Sequence, residues 1–436
     1  MTTVPFHSKK SAAALLRRLH ERTDAPLSAM IEIADRCNEV CVHCYQVQGR
    51  KGEISTSDWK RILDELASMG VLFLTISGGE ATLRKDFLDI VAYARELKFA
   101  VKIYTNGITM TAELARALAD LAVQEVQISL YSTRAEAHDW VTGVPGSWER
   151  TVAGVRHLVG AGVPVVLKSP LMSFNVDEVH AYAAFATELG ADYSVDPTLD
   201  PREDGDRTPE SLAIGAAEYV RVMRDPTLTR VRETVPEVPL TNSVCGACSG
   251  NVHIEANGEI RPCTLLGVPV GNALREGVKA AYEGNPEARM IRHLTWGDLH
   301  GCRDCDLRPY CGRCFATAKT QGGDALGPYE GACRRARLSY EVVHRVAPVI
   351  APAPEIGRDG RLGPYRRERD GVFRCIEDRI TAEDEERAAR HSWIRDRPRE
   401  APTAARAGEL VQLRRPGRKK AIATRVPAPF TVGRGD

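Results

Sequence analysis

No run of apolar residues in this 436-residue chain is long enough to span a bilayer, and residues 1–24 hold no apolar stretch of signal-peptide length. Both absences point to a cytoplasmic protein with no membrane partner. Net charge is nearly lacking too: 59 Lys and Arg against 58 Asp and Glu leave +1, which argues against a general nucleic-acid binder. No internal repeat marks a solenoid or a propeller. Cysteine, in contrast, is abundant, with twelve residues. In a reduced compartment disulfides do not persist and clustered thiols serve as metal ligands.

The spacing of those thiols sets the domain plan. Residues 27–200 alternate short β-branched runs with segments of helical apolar spacing, the pattern of a parallel sheet covered by helices. Strands are expected at 28–34, 71–77, 100–105, 125–130, 164–169 and 192–196, with helices such as 57–69 and 84–97 between them. Six such units make an α/β fold, a partial (β/α)6 barrel, whose catalytic groups gather at the C-terminal strand ends. Residues 1–26 precede it as an extension. A polar, proline-punctuated linker follows at 201–240, with a helix near 212–223. Residues 241–345 carry eight cysteines and few long apolar runs, so metal is expected to replace much of a core there. Residues 346–436 read as a largely irregular, solvated and mostly disordered tail ending in the basic group Arg414, Arg415, Arg418, Lys419 and Lys420.

Just after the first strand, Cys37, Cys41 and Cys44 are spaced Cys-x3-Cys-x2-Cys. Three thiolates on one short loop can hold three irons of a cubic four-iron four-sulfur cluster and leave the fourth iron open. One β/α unit later come Gly78, Gly79 and Glu80: two glycines let a ligand approach the backbone, and a carboxylate accepts hydrogen bonds from an ammonium group. Thr105 and Asn106 end the third strand and Ser129 the fourth, where polar side chains face the presumed mouth.

Together these motifs resemble the radical S-adenosylmethionine (radical SAM) enzymes. The resemblance implies that the open iron chelates the amino acid part of SAM, that Gly78, Gly79 and Glu80 receive its amine, that Ser129 meets the ribose region, and that Tyr45 packs near the adenine. Thr105 and Asn106 stand open between cofactor contacts and a structural turn, and Tyr45 between its cofactor role and plain packing. His43 reads as a residue behind the cluster or at the surface. Where many relatives carry an arginine for the cofactor carboxylate this chain has Val141; Lys168 offers a charge instead, unless it faces solvent. Ala81 replaces the proline often found after the Glu.

The later cysteines resemble the SPASM domain, which houses two auxiliary clusters in many radical SAM enzymes acting on peptides. Seven of them fit, Cys248, Cys263, Cys302, Cys305, Cys311, Cys314 and Cys333, and Cys245 adds the eighth that two fully ligated clusters require. Cys311 and Cys314 stand one residue closer than usual. By resemblance one cluster takes Cys245, Cys248, Cys263 and Cys314, and the other Cys302, Cys305, Cys311 and Cys333. Cys375 is left over. Paired Cys-x2-Cys knuckles outside this context would read as structural zinc.

The resemblance therefore implies three 4Fe-4S clusters, SAM, and modification of a ribosomally made peptide or protein by hydrogen abstraction followed by bond formation or oxidation. A one-electron donor such as flavodoxin or ferredoxin is implied. Only about thirty residues precede the cluster loop, so a separate recognition protein is expected, or an acidic leader peptide bound by the basic tail. The alternatives are a radical SAM/SPASM enzyme acting on a tetrapyrrole and a non-catalytic zinc or iron–sulfur scaffold. A sulfatase-maturing oxidase fits less well, because Thr264 stands where those relatives place an Asp.

Overall fold

The computed structural model describes residues 25–49, 51–228, 234–349, 364–376, 380–406, 408–416 and 421–429. Six parallel strands run in simple succession: β1 (Ser28–Ala34), β2 (Phe73–Gly78), β3 (Ala100–Thr105), β4 (Glu125–Ser129), β5 (Val165–Pro170) and β6 (Asp192–Asp196). Helices α1 (Thr56–Ser68), α2 (Phe87–Glu96), α3 (Ala112–Asp120), α4 (Ala135–Thr142), α5 (Ser147–Gly160) and α6 (Val179–Glu188) fill the crossovers. The period of two decides the faces. Ile31, Ile33, Leu74, Ile76, Val101, Ile103, Val126, Ile128 and Leu167 are fully buried in the main apolar core, leaving the alternate, largely polar positions for the barrel interior. Helix α1 shows why the helices hold. Ser55 caps it by accepting from the Asp58 N–H, and Trp59, Ile62, Leu63 and Leu66 form one buried stripe. Each such side chain contributes about 1.5–3 kcal/mol by leaving water.

The six-unit α/β barrel stands as expected, with β1, β3 and β6 at their expected bounds and the ends of β2, β4 and β5 off by one or two residues. The linker helix, α7, runs over Ala216–Arg224 rather than 212–223, because Thr208–Leu212 forms a separate 3-10 turn with Pro209 in its first turn.

The sheet does not stop at six strands. β7 (Asn251–Ile254) pairs parallel with β1, from Ser28↔Asn251 to Ile31↔Ile254, and β8 (Glu259–Arg261) and β9 (Gly271–Asn272) continue it antiparallel. The cysteine-rich region thus opens as an extension of the barrel sheet, and Val252, Ile254 and Ile260 share the barrel's core. That region also carries α8 (Val278–Gly284), α9 (Pro286–His293), α10 (Phe315–Gly322) and α11 (Glu330–His344). Apolar packing contributes more there than the expectation of a metal-built core allowed.

Among its described residues the tail carries two short hairpins, β10 (Tyr365–Arg367) with β11 (Phe373–Cys375) and β12 (Leu410–Leu413) with β13 (Ile422–Arg425), and one helix, α12 (Ala382–Arg390). Its described part is not simply solvated. Ala405, Leu413 and Val426 are buried with Cys41, Val42, Tyr131 and Phe174. Widely spaced apolar residues anchor it, a pattern that periodicity does not detect. Arg418, Lys419 and Lys420 lie outside the described residues.

Candidate active site

The loop after β1 is fastened at every turn. Val40 and Val42 donate backbone N–H bonds to Thr142 and Val141, at 2.9 and 3.0 Å, and Cys44 N–H reaches Cys41 O at 3.2 Å. Cys37, Cys41 and Cys44 all line one cavity of about 410 Å3 at the C-terminal ends of the barrel strands. Burial pushes all three thiols up, Cys44 to about 11, and neighbouring thiols of the loop add to the rise at Cys37 and Cys41. Buried thiols stay neutral until a cation arrives, and iron would supply that charge. Among the described residues no three His, Cys, Asp or Glu side chains converge as a single ion requires. Tetrahedral zinc needs sulfurs about 3.8 Å apart, whereas a cubane spreads its ligands over separate corners. The donor set suits a cluster.

Tyr45, Gly78, Gly79, Thr105, Asn106 and Ser129 line the same cavity. Glu80 does not. It is 1 % exposed, and its carboxylate accepts from the Thr105 hydroxyl at 2.7 Å, the Asn106 N–H at 2.7 Å and the Thr82 hydroxyl at 2.6 Å. Through these bonds the Glu80 carboxylate braces the β3 end, so Thr105 acts as a structural partner as well as a wall. Asn106 also bonds Asn38 of the cluster loop at 2.6 Å. The glycines likewise do more than admit a ligand. A Cβ on Gly79 would lie 2.6 Å from the Arg36 carbonyl carbon, and one on Gly78 would lie 2.8 Å from Ala34 N. Their first role is to let β2 pass against the start of the cluster loop, which fastens there through Gly79 N–H to Ala34 O and Glu80 N–H to Arg36 O.

Several cavity residues escaped the sequence reading. Tyr131 stands with its hydroxyl 3.7 Å from the Cys41 sulfur, and the Cys41 thiol donates to Glu39 at 3.2 Å. Burial raises Glu39 to about 8. His43, expected behind the cluster or at the surface, lines the cavity with its ring edge-on to Tyr131 at 4.7 Å, and burial lowers it to about 4. Lys168 faces inward, its ammonium 4.8 Å from the Tyr104 ring centroid, and burial lowers its pKa. Thr264, from the cysteine-rich region, also reaches the wall. Beneath the cavity the Tyr45 hydroxyl donates to Glu32 at 2.7 Å, and His253 stands 3.3 Å from the same carboxylate. Burial alone would raise Glu32, but His253 and that hydroxyl bring it to about 2.

Residues 31–186 match the Radical SAM superfamily, and residues 245–306 match SPASM, an iron-sulfur cluster-binding domain. The mycofactocin maturase MftC of Mycobacterium ulcerans is 35 % identical over 334 residues, 72 % of this chain and 89 % of that protein. This chain belongs to the radical SAM superfamily. The AdoMet-dependent heme synthase of Methanosarcina barkeri is 28 % identical over 334 residues, 70 % of this chain and 95 % of that protein. The PqqA peptide cyclase of Methylocella silvestris is 24 % identical over 343 residues, 70 % of this chain and 87 % of that protein. Among solved structures, native anSMEcpe with bound AdoMet shares the fold with a TM-score of 0.57 at 16 % identity, over 73 % of this chain and 97 % of that one. The chain is a radical SAM enzyme with a SPASM region. A 4Fe-4S cluster and SAM are its cofactors, and the SPASM region binds iron–sulfur.

In this radical SAM enzyme the later cysteines fall into two neighbourhoods. Burial raises Cys245 to about 11, with Cys263 and Cys314 adding to it, and Cys248 stands near Cys245 and Cys263. Cys302, Cys305, Cys311 and Cys333 line a second cavity together. Cys375, left over in the sequence, pairs across β10–β11 with Tyr365 and packs near Cys305, Cys311 and Cys333.

Two arginines far along the chain complete the cluster loop. Arg202 donates to Cys44 O at 3.1 Å, Val42 O at 3.0 Å and the Asp206 carboxylate at 3.0 Å, and also reaches Arg414 O. Arg415 donates to Val40 O at 3.0 Å, Val141 O at 2.9 Å and Trp140 O. The Arg415 guanidinium is thus bound to backbone carbonyls of the cluster loop and of the end of α4. Arg415→Ala leaves three carbonyls short of a charged donor, so thermal unfolding is expected to show a loss of about 1–3 kcal/mol. Iron bound after reconstitution should fall by up to about four atoms per chain, toward the content of the SPASM region alone.

Proposed function

We propose that this radical SAM enzyme modifies a ribosomally made peptide or protein, abstracting a hydrogen and then forming a bond or oxidising the product. The observation that carries the reading is the single cavity shared by the three cluster-loop thiols, the ends of β2 to β5 and Thr264 of the SPASM region. A relative that is a PqqA peptide cyclase and another that is a maturase support a peptide as substrate. Cys37, Cys41 and Cys44 would hold the SAM-binding cluster, with Cys245, Cys248, Cys263 and Cys314 and then Cys302, Cys305, Cys311 and Cys333 holding two auxiliary ones. Held there and reduced, such a cluster would supply one-electron reductive cleavage of SAM.

The chain's own residues position and shield. The Gly78–Gly79 backbone, Asn106 and Ser129 offer polar contacts to SAM, Tyr45 and His43 wall its cavity, and Arg202 and Arg415 keep the loop from shifting. Positioning to within a fraction of an ångström carries much of the rate in such a site. Lys168 is the one lysine or arginine lining the cavity among the described residues, which suits it to a carboxylate of SAM. Lys168→Met is expected to weaken SAM binding about tenfold, or about 1.4 kcal/mol, with iron content unchanged, as read by equilibrium dialysis of labelled SAM. A one-electron donor such as flavodoxin or ferredoxin and a cytoplasmic site of action fit this chemistry, as does a separate recognition protein.

The deciding experiment is anaerobic reconstitution followed by reduction with SAM, alone and with peptides encoded beside the gene. Release of 5′-deoxyadenosine together with a peptide mass change supports the proposal. The heme synthase relative favours a second reading, a tetrapyrrole substrate. A side-chain mass loss from an added porphyrin, with every neighbouring peptide unchanged, would establish it instead.

A further inference from the structure

Arg313 lies between Cys311 and Cys314 and is 6 % exposed. One of its terminal nitrogens, Nη2, donates to Ala325 O at 2.8 Å and Gly327 O at 2.7 Å, and these bonds fix the plane of the guanidinium. Its other two nitrogens, Nε and Nη1, have no partner among the described residues. No carboxylate forms an ion pair with it there. A buried guanidinium with unmet N–H groups and no counter-ion costs several kcal/mol unless something anionic completes it.

The surroundings say what that is. Arg313 lines the second cavity with Cys302, Cys305, Cys311 and Cys333. In the chain it stands two residues after Cys311 of that set and directly before Cys314 of the other. Arg308 also lines this cavity, its Nε and Nη1 donating to Val238 O at 2.9 Å and Arg303 O at 2.7 Å; Arg335, held by the Tyr329 hydroxyl at 3.2 Å, stands near Cys311, Arg337 near Cys333 and Asp306 near Cys305. The Arg313 cation therefore stands between two sets of four thiols.

We propose that Arg313 is a positioning residue shared by the two auxiliary clusters. Its free N–H groups donate to the sulfurs of the cluster held by Cys302, Cys305, Cys311 and Cys333, and its charge raises the reduction potential of both clusters. This rests on the reading of the eight later cysteines as ligands of two clusters. A cubane with four thiolates is anionic and gains a further negative charge on reduction, so a fixed cation and hydrogen bonds favour the reduced form. The auxiliary pair is thereby biased to accept an electron, the role needed when a substrate radical must lose one.

The test uses full-length reconstituted protein with Arg313→Met, Arg313→Gln and Arg313→Lys, followed by potentiometric titration read by electron paramagnetic resonance. Wild type with about twelve irons per chain supports the two-cluster reading; about four irons would sink that reading and this proposal with it. In loaded Met or Gln variants, the reduced-to-oxidised ratio of the Cys302 cluster at fixed potential is expected to fall at least tenfold. That equals about 59 mV for one electron. The Cys245 cluster should fall less and the Cys37 cluster should hold its wild-type value. Unchanged auxiliary potentials in a loaded neutral variant overturn the proposal. If neither neutral variant loads, Arg313→Lys decides: charge kept and fork lost predicts a lower potential at the Cys302 cluster alone, and a wild-type value there rejects the hydrogen bonds.

Discussion

A chain carrying Cys37→Ala, Cys41→Ala and Cys44→Ala together is expected to release no 5′-deoxyadenosine above the protein-free background. Removing the three thiols takes away every protein ligand proposed for the cluster that binds SAM, and no other thiol lines that cavity. Iron should fall by about four atoms per chain while the auxiliary content stays, which separates a lost site from a misfolded protein. The fold should survive, because the loop is held through backbone carbonyls by Arg202 and Arg415 rather than through its cysteine side chains. Iron analysis, circular dichroism and chromatographic assay of 5′-deoxyadenosine read these three outcomes separately. Cleavage activity persisting in the triple variant would remove the Cys37–Cys44 loop from the reaction.

Gly79→Ala should have the next largest effect, from one added methyl group. Its Cβ would press on the Arg36 carbonyl and stand 3.1 Å from Cys37 N, both backbone atoms with no rotamer to yield. Relief requires the cluster loop to move relative to β2. Forced backbone shifts of this kind cost typically about 1–3 kcal/mol, and displacement by about 1 Å can lower a rate about 100-fold. SAM cleavage is therefore expected to fall about 100-fold, with an altered resonance signal on SAM addition and near-normal iron. Gly70→Ala is a useful control: open space surrounds it, and its positive φ strains only its own turn. A Gly79→Ala enzyme with wild-type turnover would show that the close approach of β2 to the loop is not limiting.

The parts of this molecule that were legible in the sequence are those written locally. Alternation and β-branching located all six barrel strands, and Cys-x3-Cys-x2-Cys located the thiols that meet in the cavity. Ser129, Thr105 and Asn106 were found because strand ends in such barrels face the mouth. Gly-Gly-Glu reveals a carboxylate but not its bonds within the fold, so the brace from Glu80 to the Thr105 hydroxyl and the Asn106 N–H was not legible. Arg202 and Arg415 gave no signal at all. Their partners lie 158 and 375 residues away, and an arginine in a polar linker or a basic tail looks like any solvated charge. The pairing of β7 with β1 was hidden for the same reason: a four-residue strand carries too little periodicity to name its neighbour.

The contact between Arg415 and Val40 also sets an order of events in the cell. The loop that must receive iron is synthesised early, but its last brace is translated 375 residues later. Until the ribosome has passed residue 415 the three thiols hang on a loop with incomplete support, open to oxidants and to stray metals. A chain cut short before Arg415 is therefore expected to fold its barrel but to load the Cys37–Cys44 loop poorly.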